Sequence, residues 1–95
     1  MDLPTRIRDA VRSEKLLTSI HAQRRLRERS VEFWQIEAGV DEWGILEIRP
    51  DDLPNPSLVC LQSLIDGTRV KVVWSWYPEE EFAILVTVHF LEGFS

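Results

Sequence analysis

Residues 70–90, VKVVWSWYPEEEFAILVTVHF, decide the fold. Two runs rich in Val, Ile, Phe and Trp flank Tyr77-Pro78-Glu79-Glu80-Glu81, a short polar break. β-Branched and aromatic side chains favour extended backbone, so the pair predicts two antiparallel strands joined by a tight turn. Alternation assigns their faces. On the first run Val70, Val72, Trp74 and Trp76 share one side, and Lys71, Val73, Ser75 and Tyr77 the other. On the second, Ile84, Val86, Val88 and Phe90 oppose Leu85, Thr87 and His89. One face reads as core and the other as mixed; Trp74 and Trp76 fall on the core side, where packing outweighs any base-stacking role.

Working back from this hairpin, LVCLQSL from Leu58 and WGILEIR from Trp43 supply two more strands. Asp66-Gly67 is a hairpin signal, because glycine takes the left-handed backbone that the tightest turns need. Residues 50–56, PDDLPNP, hold three prolines and read as an exposed connection. Ahead of the strands the spacing turns helical. Pro4 suits a first helical position, and Ile7, Ala10 and Val11 follow in phase to about Glu14. Thr18 or Ser19 caps a second helix through Arg29, and Ser30 a third through Ala38, with Gly39 as its stop. The expectation is one α+β domain over residues 1–95, with N-terminal helices (4–39) on one face of a four-stranded antiparallel sheet (43–91). Trp34 on the third helix and Trp43 at the first strand read as partly exposed.

Composition narrows the function. Ninety-five residues, 44% hydrophobic, suffice for one core and not two. A formal charge of -5 repels phosphate backbones, so RNA or ribosome binding is disfavoured. Cys60 is the single cysteine, so no internal disulfide forms, and the two histidines lack companions for a metal site. There is no phosphate loop, nucleophile elbow or dinucleotide fingerprint, so no cofactor is expected. No apolar run approaches membrane-spanning or signal-peptide length, which predicts a cytoplasmic chain without a membrane partner.

Against that acidic background, residues 21–31 read HAQRRLRERSV, where Arg24, Arg25, Arg27 and Arg29 against Glu28 give a local charge of +3. At 100° per residue, Ala22 and Leu26 form a narrow apolar stripe bordered by Arg25, Arg29 and His21, while Arg24 and Arg27 point away. The structural reading has Arg25 and Arg29 lie along the core edge and pair with Glu32 or Glu37, leaving Arg24 and Arg27 solvated. The functional reading makes His21, Arg25 and Arg29 a binding row for a phosphate or a partner's carboxylate.

HAQRRLRERSV, PDDLPNPSLV, DGTRVKVVW and ILVTVHF, in that order, resemble the bacterial domain-of-unknown-function family DUF4258, over about Ser19 to Phe90. Three positions depart from its pattern: Ser30 stands at the usual glycine, Thr68 separates Gly67 from Arg69, and His89 replaces a tyrosine. The family in turn resembles the RelE/ParE/BrnT toxin superfamily at the level of fold. That resemblance implies a RelE-like scaffold, an antitoxin-like or other protein partner, and in some members cleavage of ribosome-bound mRNA. Carried over, it makes His89 the candidate catalytic proton-transfer group and puts Lys71, Ser75, Tyr77 and Thr87 on the same sheet face. The competing expectation is a non-catalytic interaction module that binds a protein through the charged helix, the acidic loop or a sheet edge.

Overall fold

A computed structural model of the chain describes residues 2–91. Its elements are α1 (Leu3–Arg12), β1 (Leu16–Thr18), α2 (Ile20–Glu28), α3 (Phe33–Ala38) with a following 3-10 turn (Gly39–Asp41), β2 (Gly44–Arg49), β3 (Ser57–Ser63), β4 (Arg69–Tyr77) and β5 (Phe82–Phe90). The helices lie on one face of the sheet, as an α+β domain requires to bury each element's apolar side.

The sheet corrects the expectation of four antiparallel strands. It has five, in the order β1-β5-β4-β3-β2, and β1 runs parallel to β5. Three residues are too few for alternation to announce a strand. Leu16–Thr18 is extended because β5 offers a free edge there: Ala83 N–H donates to Lys15 O at 3.0 Å and Ser19 N–H to Leu85 O at 2.9 Å. The chain reaches that edge through Glu14, whose φ of 60° turns it out of α1. The remaining joints are antiparallel, as expected. Gly67 (φ 89°) sits in the turn between β3 and β4, where Thr68 N–H donates to the Asp66 carboxylate at 2.9 Å.

On β4 the faces follow the alternation, with Val70, Val72, Trp74 and Trp76 buried. On β5 the alternation fails halfway. Val73 pairs with Thr87 and Trp74 with Leu85, so Val86 is an extra residue in a β-bulge. The bulge flips the phase: Ala83 and Leu85 face the core before it, and Val88 and Phe90 after it. Ile84 and Val86 therefore leave the expected core set. A second bulge at Leu46 puts Ile45 and Ile48 on the same side of β2, opposite Cys60 and Leu58.

The core joins Ile7 and Val11 of α1, Ala22 and Leu26 of α2, Ile36 of α3 and the inner faces of β3, β4 and β5. Each large aliphatic side chain removed from water there contributes about 1.5–3 kcal/mol. One polar side chain is enclosed with them. Gln62, in phase with Leu58 and Cys60, donates through Nε2 to Ile36 O at 2.8 Å and accepts from Trp74 Nε1 at 3.1 Å. Buried polar atoms need such partners, and this set ties α3 to two strands. Of the two tryptophans expected to be partly exposed, Trp34 is half-exposed; Trp43 is buried beneath Arg8, whose guanidinium lies 5.3 Å from its ring centre.

The helix ends follow from their capping residues. Asp2 caps α1 by accepting from Thr5 N–H at 2.8 Å, and hydrogen bonding from the Thr5 side chain together with this backbone bond holds its carboxyl below the usual range. Ser19 caps α2. Ser30, expected to cap the third helix, is instead the left-handed residue after α2, with φ 54°. Its N–H returns to Arg27 O and that of Val31 to Leu26 O, the paired bonds that close a helix C-terminus and call for glycine. α3 consequently starts later, at Phe33, and Gly39 (φ -67°) carries the chain into the 3-10 turn rather than stopping it.

Candidate functional site

The basic helix α2 lies along β5, and the pattern of its side chains divides it in two. Among the described residues, the outer edge of β5 beyond Leu85 has no strand beside it, because β1 pairs only with Ala83, Ile84 and Leu85. Helix side chains take over. The Ser19 hydroxyl accepts from Ala22 N–H at 3.0 Å and donates to Val86 O at 2.7 Å. Arg25 Nε donates to Val88 O at 3.4 Å, and its Nη1 lies 3.8 Å from Glu28. The Arg29 guanidinium sits 5.0 Å from the Phe90 ring centre. The border arginines thus fasten α2 to the bulged half of β5. The carboxylate beside Arg25 is Glu28, one turn away, in place of Glu32 or Glu37.

The other side of α2 carries the accessible charge. Arg24 and Arg27 are exposed and form no ion pair among the described residues. Ile20, one and two turns before them on the same stripe, is 75% exposed. Along this face runs an open groove lined by Thr18, Gln23, Leu26, Arg27, Val31 and Phe33. Its floor is apolar and its rim holds a cation. His21 is exposed beside the stripe.

Lys71 and His89 form a different locus. They pair directly across β4 and β5 and point from the sheet face that carries no helix, as their buried neighbours Val70, Val72, Val88 and Phe90 require. Thr87 pairs with Val73 on that face, and Tyr77 stacks on Phe82 with ring centres 5.1 Å apart. Glu47 and Arg49 of β2 share it, paired at 2.8 Å, and Arg49 holds the Glu47 carboxyl below its usual range. The five residues singled out from sequence therefore do not converge: Arg25 and Arg29 serve the helix side of β5, His21 is exposed on α2, and Lys71 and His89 open onto the reverse.

No three His, Cys, Asp or Glu residues converge as a metal-binding group among the described residues. Cys60 is buried, and burial pushes its thiol up to about 12, which removes it as a nucleophile at neutral pH. No helix among the described residues is long and apolar enough to cross a membrane. Sequence reasoning missed the groove beside α2, because its walls come from α2 and the segment leading into α3, and only the Ser30 turn brings them together. The signal was present in Ser30 occupying a glycine position.

Helices on one face of a mixed sheet, with a basic helix pinned to the last strand by its own arginines, define a small α+β domain. The chain belongs to the family of the domain of unknown function DUF4258, whose model matches residues 18–90. The match runs from Thr18, the last residue of β1, to the end of β5, and leaves α1 outside. Comparison with curated proteins and with solved structures returns no significant match.

Proposed function

We propose that this chain is a protein-interaction module whose recognition surface is the outward face of α2 with its adjoining groove. One observation carries the reading: in a chain of net charge -5, the exposed arginines Arg24 and Arg27 are left without ion-pair partners among the described residues, next to an isoleucine that is 75% exposed. Isolated exposed aliphatics are ordinary, but one flanked by two such cations, of which Arg27 also lines the groove with Leu26, Val31 and Phe33, matches a partner segment that alternates carboxylates with an apolar anchor. Arg25 and Arg29 hold the helix in place and do not themselves reach the partner. Such a partner fits an antitoxin-like protein on a RelE-like scaffold as well as any other acidic segment.

The test is to recover bound protein from the native host with the wild-type chain and with Arg24→Glu/Arg27→Glu. A stoichiometric partner is expected with the wild-type chain and is lost with the double reversal. The proposal fails if no partner is recovered, or if the variant retains it unchanged.

A second reading is favoured by the pairing of Lys71 with His89 on the helix-free face. In this reading the chain is the toxin of a toxin–antitoxin pair and cuts mRNA, with Lys71 stabilising the scissile phosphate and His89 moving the proton of the ribose 2′-OH. Expression without a partner then arrests growth and fragments mRNA, and Lys71→Ala and His89→Ala each abolish both effects. Unimpaired growth with intact mRNA removes it.

A further inference from the structure

β2 is the last strand of the sheet, and among the described residues no strand pairs with its outer backbone edge. All six of its residues are exposed, including Ile45 (40%), Leu46 (55%) and Ile48 (48%). An exposed apolar edge is a template for another strand unless charge blocks it. The charges here are placed so that they select rather than block. Glu47 and Arg49 lie opposite Val59 and Ser57, two residues apart on β3, and so share the helix-free face, with Ile48 between them on the other.

We infer that β2 pairs with β2 of a second copy, antiparallel about a two-fold axis through Ile48, joining two sheets into one. Reversal of direction in the second copy sets Glu47 of each chain opposite Arg49 of the other. The neighbouring symmetric registers, centred on Glu47 or on Arg49, bring like charges together, so the charge order fixes the register. Ile48 meets its own copy on the helix side, where the bulge has also placed Ile45 and no helix covers either. The contact is a few residues long, with Pro50 ending the regular strand, so the dimer is a reversible one whose population follows protein concentration. It uses the sheet edge opposite to α2 and leaves the recognition surface proposed above free.

The test is sedimentation equilibrium on Glu47→Lys and Arg49→Glu, alone and mixed. The wild-type chain, 11.1 kDa as a monomer, shows a concentration-dependent dimer. Each single reversal sets two like-charge pairs across the axis and raises the dissociation constant by at least about tenfold. An equimolar mixture of the two variants dimerises again. In the mixed dimer the lysine introduced at position 47 faces the glutamate introduced at position 49 of the other chain, and the unchanged Arg49 faces the unchanged Glu47. The pairing of Glu47 with Arg49 within one chain cannot produce that recovery. A wild-type chain that stays monomeric at every concentration overturns the inference, as does a dimer indifferent to both reversals or a mixture that fails to associate.

Discussion

Arg25 of α2 donates its Nε–H to the carbonyl oxygen of Val88 at 3.4 Å, 63 residues away in sequence. Val88 O faces the edge of β5 just past the bulge, where β1 has ended. The arginine thus satisfies a strand edge. Its neighbour Arg24 forms no such bond. Arg25→Ala is expected to cost about 1 kcal/mol, the net worth of a long charge-assisted hydrogen bond, whereas Arg24→Ala stays within about 0.5 kcal/mol of the parent. Urea denaturation of the two variants reads the difference; equal losses contradict the division of α2 into an inner and an outer face.

Ser30 holds a left-handed backbone at 54° without the freedom of glycine. A side chain there costs about 1–2 kcal/mol, partly offset by glycine's greater entropy in the unfolded chain. Ser30→Gly should therefore stabilise the domain by about 0.5–1 kcal/mol. Thermal unfolding checks it, and a fall in melting temperature argues against the helix-closing geometry described for Ser30 and Val31.

Gly39 makes the opposite case. Its φ of -67° suits any residue, and helical propensity alone favours alanine by about 1 kcal/mol. Space decides instead, because a Cβ at Gly39 would collide with the amide nitrogen of Gln62. That amide bonds Ile36 O and cannot move without leaving a buried carbonyl unpaired. Gly39→Ala is expected to destabilise by about 1–3 kcal/mol. A neutral or stabilising result in denaturant would mean that the Gln62 amide is not where the packing places it.

Cys60 gives a pH signature. Burial raises its thiol from an ordinary value near 9 to about 12, so the folded state favours the neutral form. A group with a raised folded pKa contributes its full stability below the unfolded value and loses it as pH climbs from about 9 towards about 12. Cys60→Ala should remove that part of the alkaline decline. Near neutral pH the native thiol should resist iodoacetamide and react only in denaturant; rapid native labelling would show that the core is open at β3.

The hairpin of β4 and β5, the helical N-terminus and the core face of β4 are legible from residue spacing, because burial imposes periodicities of about 2.0 and 3.6 on side chains. β1 is not legible. Leu16–Thr18 has no period of its own, and it is a strand only through the edge of β5. The bulges at Val86 and Leu46 are likewise invisible, since one added backbone residue changes phase without changing composition. Alternation through Leu58 and Cys60 does place Gln62 in the core, a signal carried by residue order alone. For the candidate site, helix phase separates Arg25 and Arg29 from Arg24 and Arg27 correctly, but their roles depend on what β5 leaves unpaired, which is a tertiary property.

The most direct test of the proposed recognition surface is calorimetric titration of the host partner, purified after capture, into the wild-type chain and into Arg24→Glu/Arg27→Glu. Wild-type affinity should fall with added salt, and the double reversal should weaken binding by at least about tenfold while leaving stability near that of the parent. Equal affinity for both proteins, or loss of binding only with Lys71→Ala and His89→Ala, would contradict that surface and move the functional site to the opposite face of the sheet.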